Sequence, residues 1–161
     1  MHKTYKLECS PLYRLRNRRK LAELLNVPHD FFRKKRKFTY HEFSKLKSCG
    51  VEKRHFMNPE TELKKIQKRI HMFLQRVESP TWVKSIRKGD SYIRNCTDHL
   101  NSHYVLTMDI AKFYESVSRK YVYSLFDNKF RMDSDISSIL TNLIFNEHRL
   151  PTGGPSSQTI V

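Results

Sequence analysis

The chain has 161 residues, 31 of them Lys or Arg and 16 Asp or Glu, giving a formal net charge of +15. That length suits one domain with a modest core, since 38% of the residues are apolar, and the excess of cations makes a polyanion such as nucleic acid the first partner to expect. Cys9, Cys49 and Cys96 form no CxxC pair and the eight histidines lack metal-ligand spacing, which argues against a disulfide framework or a structural zinc site. The N-terminus MHKTYKLECSPLYR has no signal-like apolar run, and every longer apolar stretch is broken by charge, so a cytoplasmic protein without membrane contact is expected.

In chain order, Ser10-Pro11 reads as an N-cap followed by proline at the first helical position, opening a helix with Leu12, Leu15, Leu21, Leu24 and Leu25 on its apolar side and ending before Pro28. Arg14, Arg16, Arg18, Arg19 and Lys20, then the run from Arg33 to Lys37, make the first third the most basic part. Such runs serve either as a solvated face or as phosphate contacts. FTYHEFSKLK, the turn signal Ser48-Cys49-Gly50 and VEKRHFM read as a β-hairpin that puts Lys53 and Arg54 on one strand near its exit. Asn58-Pro59-Glu60 opens a second helix with Leu63, Ile66, Ile70, Phe73, Leu74 and Val77 on one face, terminated by Ser79-Pro80.

A polar turn at Lys88 to Ser91 leads into YIRNCTDHL, expected to be helical, and then into YVLTMDI. Tyr104, Val105, Leu106, Met108 and Ile110 suit a strand buried on both faces, interrupted by Asp109. A carboxylate there is costly unless compensated, and three roles are open: a buried salt bridge, an N-cap for the next helix, or a metal ligand at a sheet edge. AKFYESVSRKYVYSLF reads as a turn into a helix, and SDISSILTNLIF as a helix with Ile136, Ile139, Leu140, Leu143 and Ile144 inward. The ending RLPTGGPSSQTIV is a shaped loop, because two prolines and two glycines from Pro151 to Pro155 suit neither helix nor strand.

VLTMDIAKFYESV followed after one helical segment by LPTGGPSSQ resembles, in motif and spacing, the retron-type bacterial reverse transcriptases. SPLYRLRNRRKLAELLNV, EKRHFMNPETELKKIQKRI and GDSYIRNCTDH are similar to upstream blocks of the same family, so the resemblance is collinear from about Ser10 to Val161. It implies an α+β right-hand polymerase fold: a basic N-terminal helical extension over 1–36, fingers over 37–103, and the first part of the palm over 104–161 with a helical fingers insertion at about 127–149. The function implied is RNA-directed DNA synthesis by two-metal phosphoryl transfer, with Mg²⁺, or Mn²⁺ in its place, as cofactor.

By the same resemblance, Asp109 is the catalytic metal carboxylate and the backbone carbonyl of Ile110 a second ligand. Arg54 is the fingers arginine that closes on the triphosphate, with Lys53 sharing that role or facing solvent. Tyr114 packs under the sugar and rejects a 2′-hydroxyl. Pro151, Gly153 and Gly154 belong to a loop whose backbone approaches the incoming dNTP and the templating base. Gln158 stands where many relatives have Pro, and Ser91, Asn95 and His99 match family positions without a chemistry of their own.

The family's pair of adjacent aspartates and its thumb have no counterpart in these residues; Asp133 and Asp135 are split by Ser134 and precede the loop. The expectation is therefore a front portion of a polymerase, inactive by itself, with structured RNA template and primer, RNA–DNA duplex, dNTPs and the remainder of the polymerase as partners. The family adds a setting in antiviral defence with an effector protein. The alternative is a non-catalytic RNA-binding or assembly module.

Overall fold

The computed structural model describes residues 4–34, 36–46, 53–84, 91–146 and 149–160. Near the N-terminus, a 3-10 turn at Leu7–Cys9 precedes a non-helical stretch, and the first helix, α1, covers Arg18–Leu25. The start expected at Ser10-Pro11 is thus corrected to Asn17, whose side chain accepts from Arg19 N at 2.8 Å. Tertiary hydrogen bonds explain the difference. Arg14 N donates to Phe130 O (2.8 Å) and Asp133 N donates to Leu15 O (3.2 Å), while Arg14 takes a left-handed φ of 54°. Leu12 and Leu15 still reach the core, but from a turn rather than a helix. Asn26 closes α1 in the left-handed conformation just before Pro28, as an αL cap should.

The hairpin consists of β1 (Tyr40–Leu46) and β2 (Lys53–Pro59), antiparallel, with register from Tyr40↔Pro59 to Leu46↔Lys53. The expected turn at Ser48-Cys49-Gly50 lies outside the described residues. Lys53 and Arg54 lie at the entry of β2, not near its exit. Helix α2 (Thr61–Leu74) buries Leu63, Ile66, Ile70, Phe73 and Leu74, the face its 3.6-residue period marks out. It stops short of Val77, which forms a parallel bridge with Tyr5 instead. The Arg69 guanidinium donates twice to Leu24 O (3.0 and 2.8 Å), satisfying a carbonyl in the last turn of α1 and locking the two helices together.

Short helices α3 (Tyr92–Thr97) and α4 (Phe113–Ser116) follow, then α5 (Arg119–Ser124), which continues as a π-helical turn at Leu125–Lys129, and α6 (Ser134–Ile144). The single helix suggested by AKFYESVSRKYVYSLF is therefore two, with Ser118 capping the second by accepting from Tyr121 N at 3.1 Å. A last turn, α7 (Ser157–Ile160), packs on α2. The core joins α1, α2, α5, α6 and the segments between Phe126 and Met132, with Leu21, Ile70, Val122, Phe126, Ile136, Leu140 and Ile144 fully buried. No described helix is long and apolar enough to cross a membrane.

The stretch from Tyr104 to Ile110 departs from expectation. It joins no ladder, and Tyr104, Leu106 and Met108 are 95%, 81% and 86% exposed. A strand buried on both faces needs a neighbour on each edge and layers above and below. Among the described residues the sheet is the β1–β2 hairpin, so nothing faces this segment. Replacing Asn17 with Ala should lower unfolding free energy by about 1 kcal/mol in a urea titration, the usual cost of a lost N-cap; an unchanged midpoint would return the helix start to Ser10.

Candidate functional site

The Pro-Gly loop docks on β2 and α2 together. Met57 N donates to Thr152 O at 3.0 Å, an extra rung beyond the hairpin, and Asn146 and Arg149 pair in both directions (3.0 and 2.9 Å) to close the base of the loop. Inside the loop, Gly154 N and Ser157 Oγ both donate to Pro151 O, at 3.2 and 2.8 Å. Pro151 is buried.

The two glycines have different reasons to be glycine. Gly153 is exposed with φ +108°, a conformation that side chains resist, and a Cβ there would meet only ordinary contacts with Met57 O and the Phe56 ring. Gly154 is buried, and a Cβ would lie 2.9 Å from Ser157 Oγ and 3.2 Å from Gln67 Oε1. Protein atoms, not open space, occupy the room its missing side chain leaves.

Asp109 and Ile110 lie on the exposed stretch before α4. Two of the three roles open to Asp109 find no support there. The N-cap position of α4 is held by Lys112, and among the described residues no cation stands within ion-pair distance of the Asp109 carboxylate. Nor do the described residues hold a cluster of three or more potential metal-binding side chains. Tyr114, on α4, is half-buried against the core and meets Phe113 edge-on at 5.6 Å. Lys53 is exposed, and Arg54 is placed opposite Lys45 by the strand register. The structure thus brings Pro151, Gly153 and Gly154 to the strand that carries Lys53 and Arg54, while Asp109, Ile110 and Tyr114 belong to a separate stretch of chain. Asp133 and Asp135 have work elsewhere, beside Arg16 (3.6 Å) and Arg18 (2.8 Å) at the start of α6.

One residue central to this arrangement escaped the sequence reading. Gln67 is completely buried on α2; its Nε2 donates to Leu143 O (2.9 Å) at the end of α6 and reaches the Tyr40 hydroxyl at 3.4 Å. Among the described residues its Oε1 has no hydrogen-bond partner, and it abuts Gly154. The only sequence signal was a glutamine flanked by Ile66 and Ile70 on an apolar face. Burial also pushes the Tyr40 phenol up to about 12, so it remains a neutral hydroxyl at physiological pH. His71 is partly buried with Nδ1 3.2 Å from Thr159 Oγ1, and that burial holds its pKa below the ordinary histidine value.

No family model matches the chain. Two curated relatives do: the retron Se72 reverse transcriptase of Salmonella heidelberg (strain 579083-10), 31% identical over 132 residues and 81% of this chain, and the retron Ec86 reverse transcriptase of Escherichia coli, 30% identical over 111 residues and 67% of it. The chain spans about a third of the length of each, 35% and 34% respectively.

Gly154→Ala should destabilise the chain by about 1–3 kcal/mol, as overpacking does, because Ser157 Oγ is pinned on Pro151 O and cannot swing aside cheaply; a urea midpoint equal to the parent's would contradict the packing. His71 gives a pH dependence of defined sign. With the folded pKa depressed, the unfolded chain takes up the proton first as pH falls through about 6.5, so stability is full above that pH and declines below it towards the lowered folded value. Urea midpoints at pH 7.5 and 5.5 should differ in that direction, and His71→Gln should narrow the difference.

Proposed function

As a homologue of retron reverse transcriptases over about a third of their length, this chain sits with the RNA-directed DNA polymerases, and we propose that it forms the fingers and first palm portion of such an enzyme. The observation that carries this reading is the docking of the Pro151–Ser157 loop on β2 through Met57 N and Thr152 O, which sets an exposed glycine backbone beside the strand bearing Lys53 and Arg54. A permanently charged arginine fork suits triphosphate oxygens, and an exposed Gly backbone suits a base or sugar at close range. In the right-hand scheme, residues 1–36 are the basic extension, 37–103 the fingers and 104–161 the beginning of the palm.

Asp109 and the Ile110 carbonyl are hard oxygen donors of the kind Mg²⁺ takes, and among the described residues no cation pairs with the exposed carboxylate in competition with a metal. Two donors are fewer than Mg²⁺ takes, so substrate phosphates, water and further carboxylates would have to supply the rest. When bound, the metal supplies activation of a primer 3′-hydroxyl and charge stabilisation of the leaving pyrophosphate. Asp109 anchors it, Lys53 and Arg54 hold the triphosphate, Tyr114 packs under the sugar, and Gly153 offers backbone to the incoming nucleotide. With a single carboxylate of the set, the 161-residue chain by itself is expected to bind RNA without synthesising DNA. Its net charge of +15 supplies the binding, which should weaken steeply with salt.

The test uses a longer polymerase in which this chain is joined to an adjacent-aspartate hairpin and thumb. Asp109→Asn should abolish primer extension on an RNA template while RNA affinity stays within about twofold, because the amide keeps the shape and loses the charge. Extension within tenfold of the parent would remove Asp109 from the metal site. In the same protein, Tyr114→Ala should increase ribonucleotide incorporation. RNA binding with no synthesis even by the parent would favour the non-catalytic module instead.

A further inference from the structure

Between α1, residues 31–34 and 36–38, and α6 lies a cavity of about 320 Å³, at the lower end of the range that holds small organic ligands. Its walls are unusual in composition. Phe31 is buried, meets Phe32 edge-on at 5.1 Å and lies nearly parallel to Phe38 at 6.4 Å; Phe32 and Phe38 are half-buried and line the opening. Around these rings stand Arg18, Lys34 and Arg36, with the Arg36 guanidinium 4.2 Å from the centre of the Phe31 ring. A wider trough of about 950 Å³ adjoins it, sharing Arg18 and Phe32 and adding Arg19 and Arg33 together with the carboxylates of Glu23 and Asp30.

Aromatic faces inside a rim of cations are complementary to a ligand with planar apolar rings linked by negative charges. Two of the rim cations have carboxylate neighbours, Arg18 with Asp135 at 2.8 Å and Arg36 with Glu62 at 3.8 Å, but both pairs are substantially exposed and such pairs contribute little, so phosphate can replace them. Lys34 has no carboxylate within ion-pair distance among the described residues. A regular duplex keeps its bases stacked on one another and presents only backbone to such a cleft. Unpaired bases can enter it and stack. An acidic peptide satisfies the rim and leaves the rings unused.

We propose that this cleft is a nucleic-acid subsite separate from the nucleotide loop, taking one or two unpaired bases of a single-stranded polynucleotide against Phe32 and Phe38, with the flanking phosphates on Arg18, Lys34 and Arg36. None of these residues belongs to the set assigned above to metal, nucleotide or sugar. The two places are nevertheless mechanically joined. Leu143 lines the cleft, and its carbonyl is the acceptor for Gln67, which packs on Gly154 of the loop.

The experiment measures binding of a fluorescein-labelled, unstructured 12-nucleotide RNA to the 161-residue chain by anisotropy, without divalent cation or dNTP, so its result is independent of the role of Asp109. Phe32→Leu with Phe38→Leu keeps apolar packing and removes the stacking faces; circular dichroism checks that the fold is retained. Affinity should fall about tenfold, with the slope of log Kd on log salt unchanged. Lys34→Gln should instead shallow that slope by about 0.7. A 12-base-pair RNA duplex should lose less than twofold on the Phe changes. A 12-nucleotide oligodeoxythymidine that loses the same tenfold extends the ligand to single-stranded DNA, and one that does not confines it to RNA. Parent-like binding of the RNA by the double Leu variant, an equal loss on the duplex, or competition by poly-glutamate as effective as by unlabelled RNA would overturn the proposal.

Discussion

Gln67 sits among Ile66, Ile70 and Leu63 on the buried face of α2, where an amide is tolerated only if its hydrogen bonds are made inside the protein. One half of that requirement is met by the Leu143 carbonyl, one of the acceptors that the end of α6 leaves without a helical donor. The other half is not met among the described residues: Oε1 has no donor there, and a buried unsatisfied acceptor costs about 1–3 kcal/mol. A leucine would avoid that cost and would lose the link between α2 and α6. The amide therefore fixes where α6 ends, and with it where Asn146 and Arg149 close the base of the Pro-Gly loop. The position of the loop on β2 follows from that junction.

Packing divides the chain unevenly. Buried side chains between Leu12 and Phe31, between Leu63 and Leu74 and between Val122 and Ile160 interlock in one core, tied by Arg69 on Leu24 O, Tyr5 on Phe73 O at 2.7 Å and the backbone pairs between Arg14, Leu15 and the Phe130–Asp133 stretch. Residues 91 and 93–112 contribute no buried side chain to it. Trp82, Leu100, Tyr104, Leu106 and Met108 are instead largely exposed, an apolar sequence with no surface in the described structure to cover it. Desolvation made Asp109 look expensive when the segment was read as a buried strand; in the exposed segment that cost vanishes. What remains to single out Asp109 is the resemblance of its surroundings to a polymerase motif and the lack, among the described residues, of a cap or ion pair that would account for it.

The parts of the fold legible in the sequence were those that local pattern controls. Periodicity marked most of the apolar residues on the buried faces of α2 and α6, though Val77 falls beyond the end of α2 and Ile139 is only partly buried, and alternation marked the hairpin. The start of α1 was misplaced because Ser10-Pro11 and Asn17 are both acceptable caps, and the choice is made by hydrogen bonds to residues more than a hundred positions away. The strand around Asp109 was misjudged because a run of apolar residues specifies burial without supplying a partner. Gln67 and His71 were passed over for a related reason: a polar residue within a periodic apolar face gives no local sign of whether it is solvated or satisfied in the interior.

The two adjacent glycines carry the loop's logic furthest. Gly154 is enclosed by Ser157, Gln67 and Pro151, so its missing side chain serves the protein's own packing. Its neighbour Gly153 is exposed, with φ +108° and only ordinary contacts around the place a Cβ would take. If both had been free, the loop could have adjusted to whatever lay in front of it. Because Gly154 is wedged against α2, Gly153 is presented on a fixed base, at the end of a strand that already carries two cations at its start. A backbone held in this way does not need to be ordered by its ligand, which lowers the entropic cost of any close contact made there.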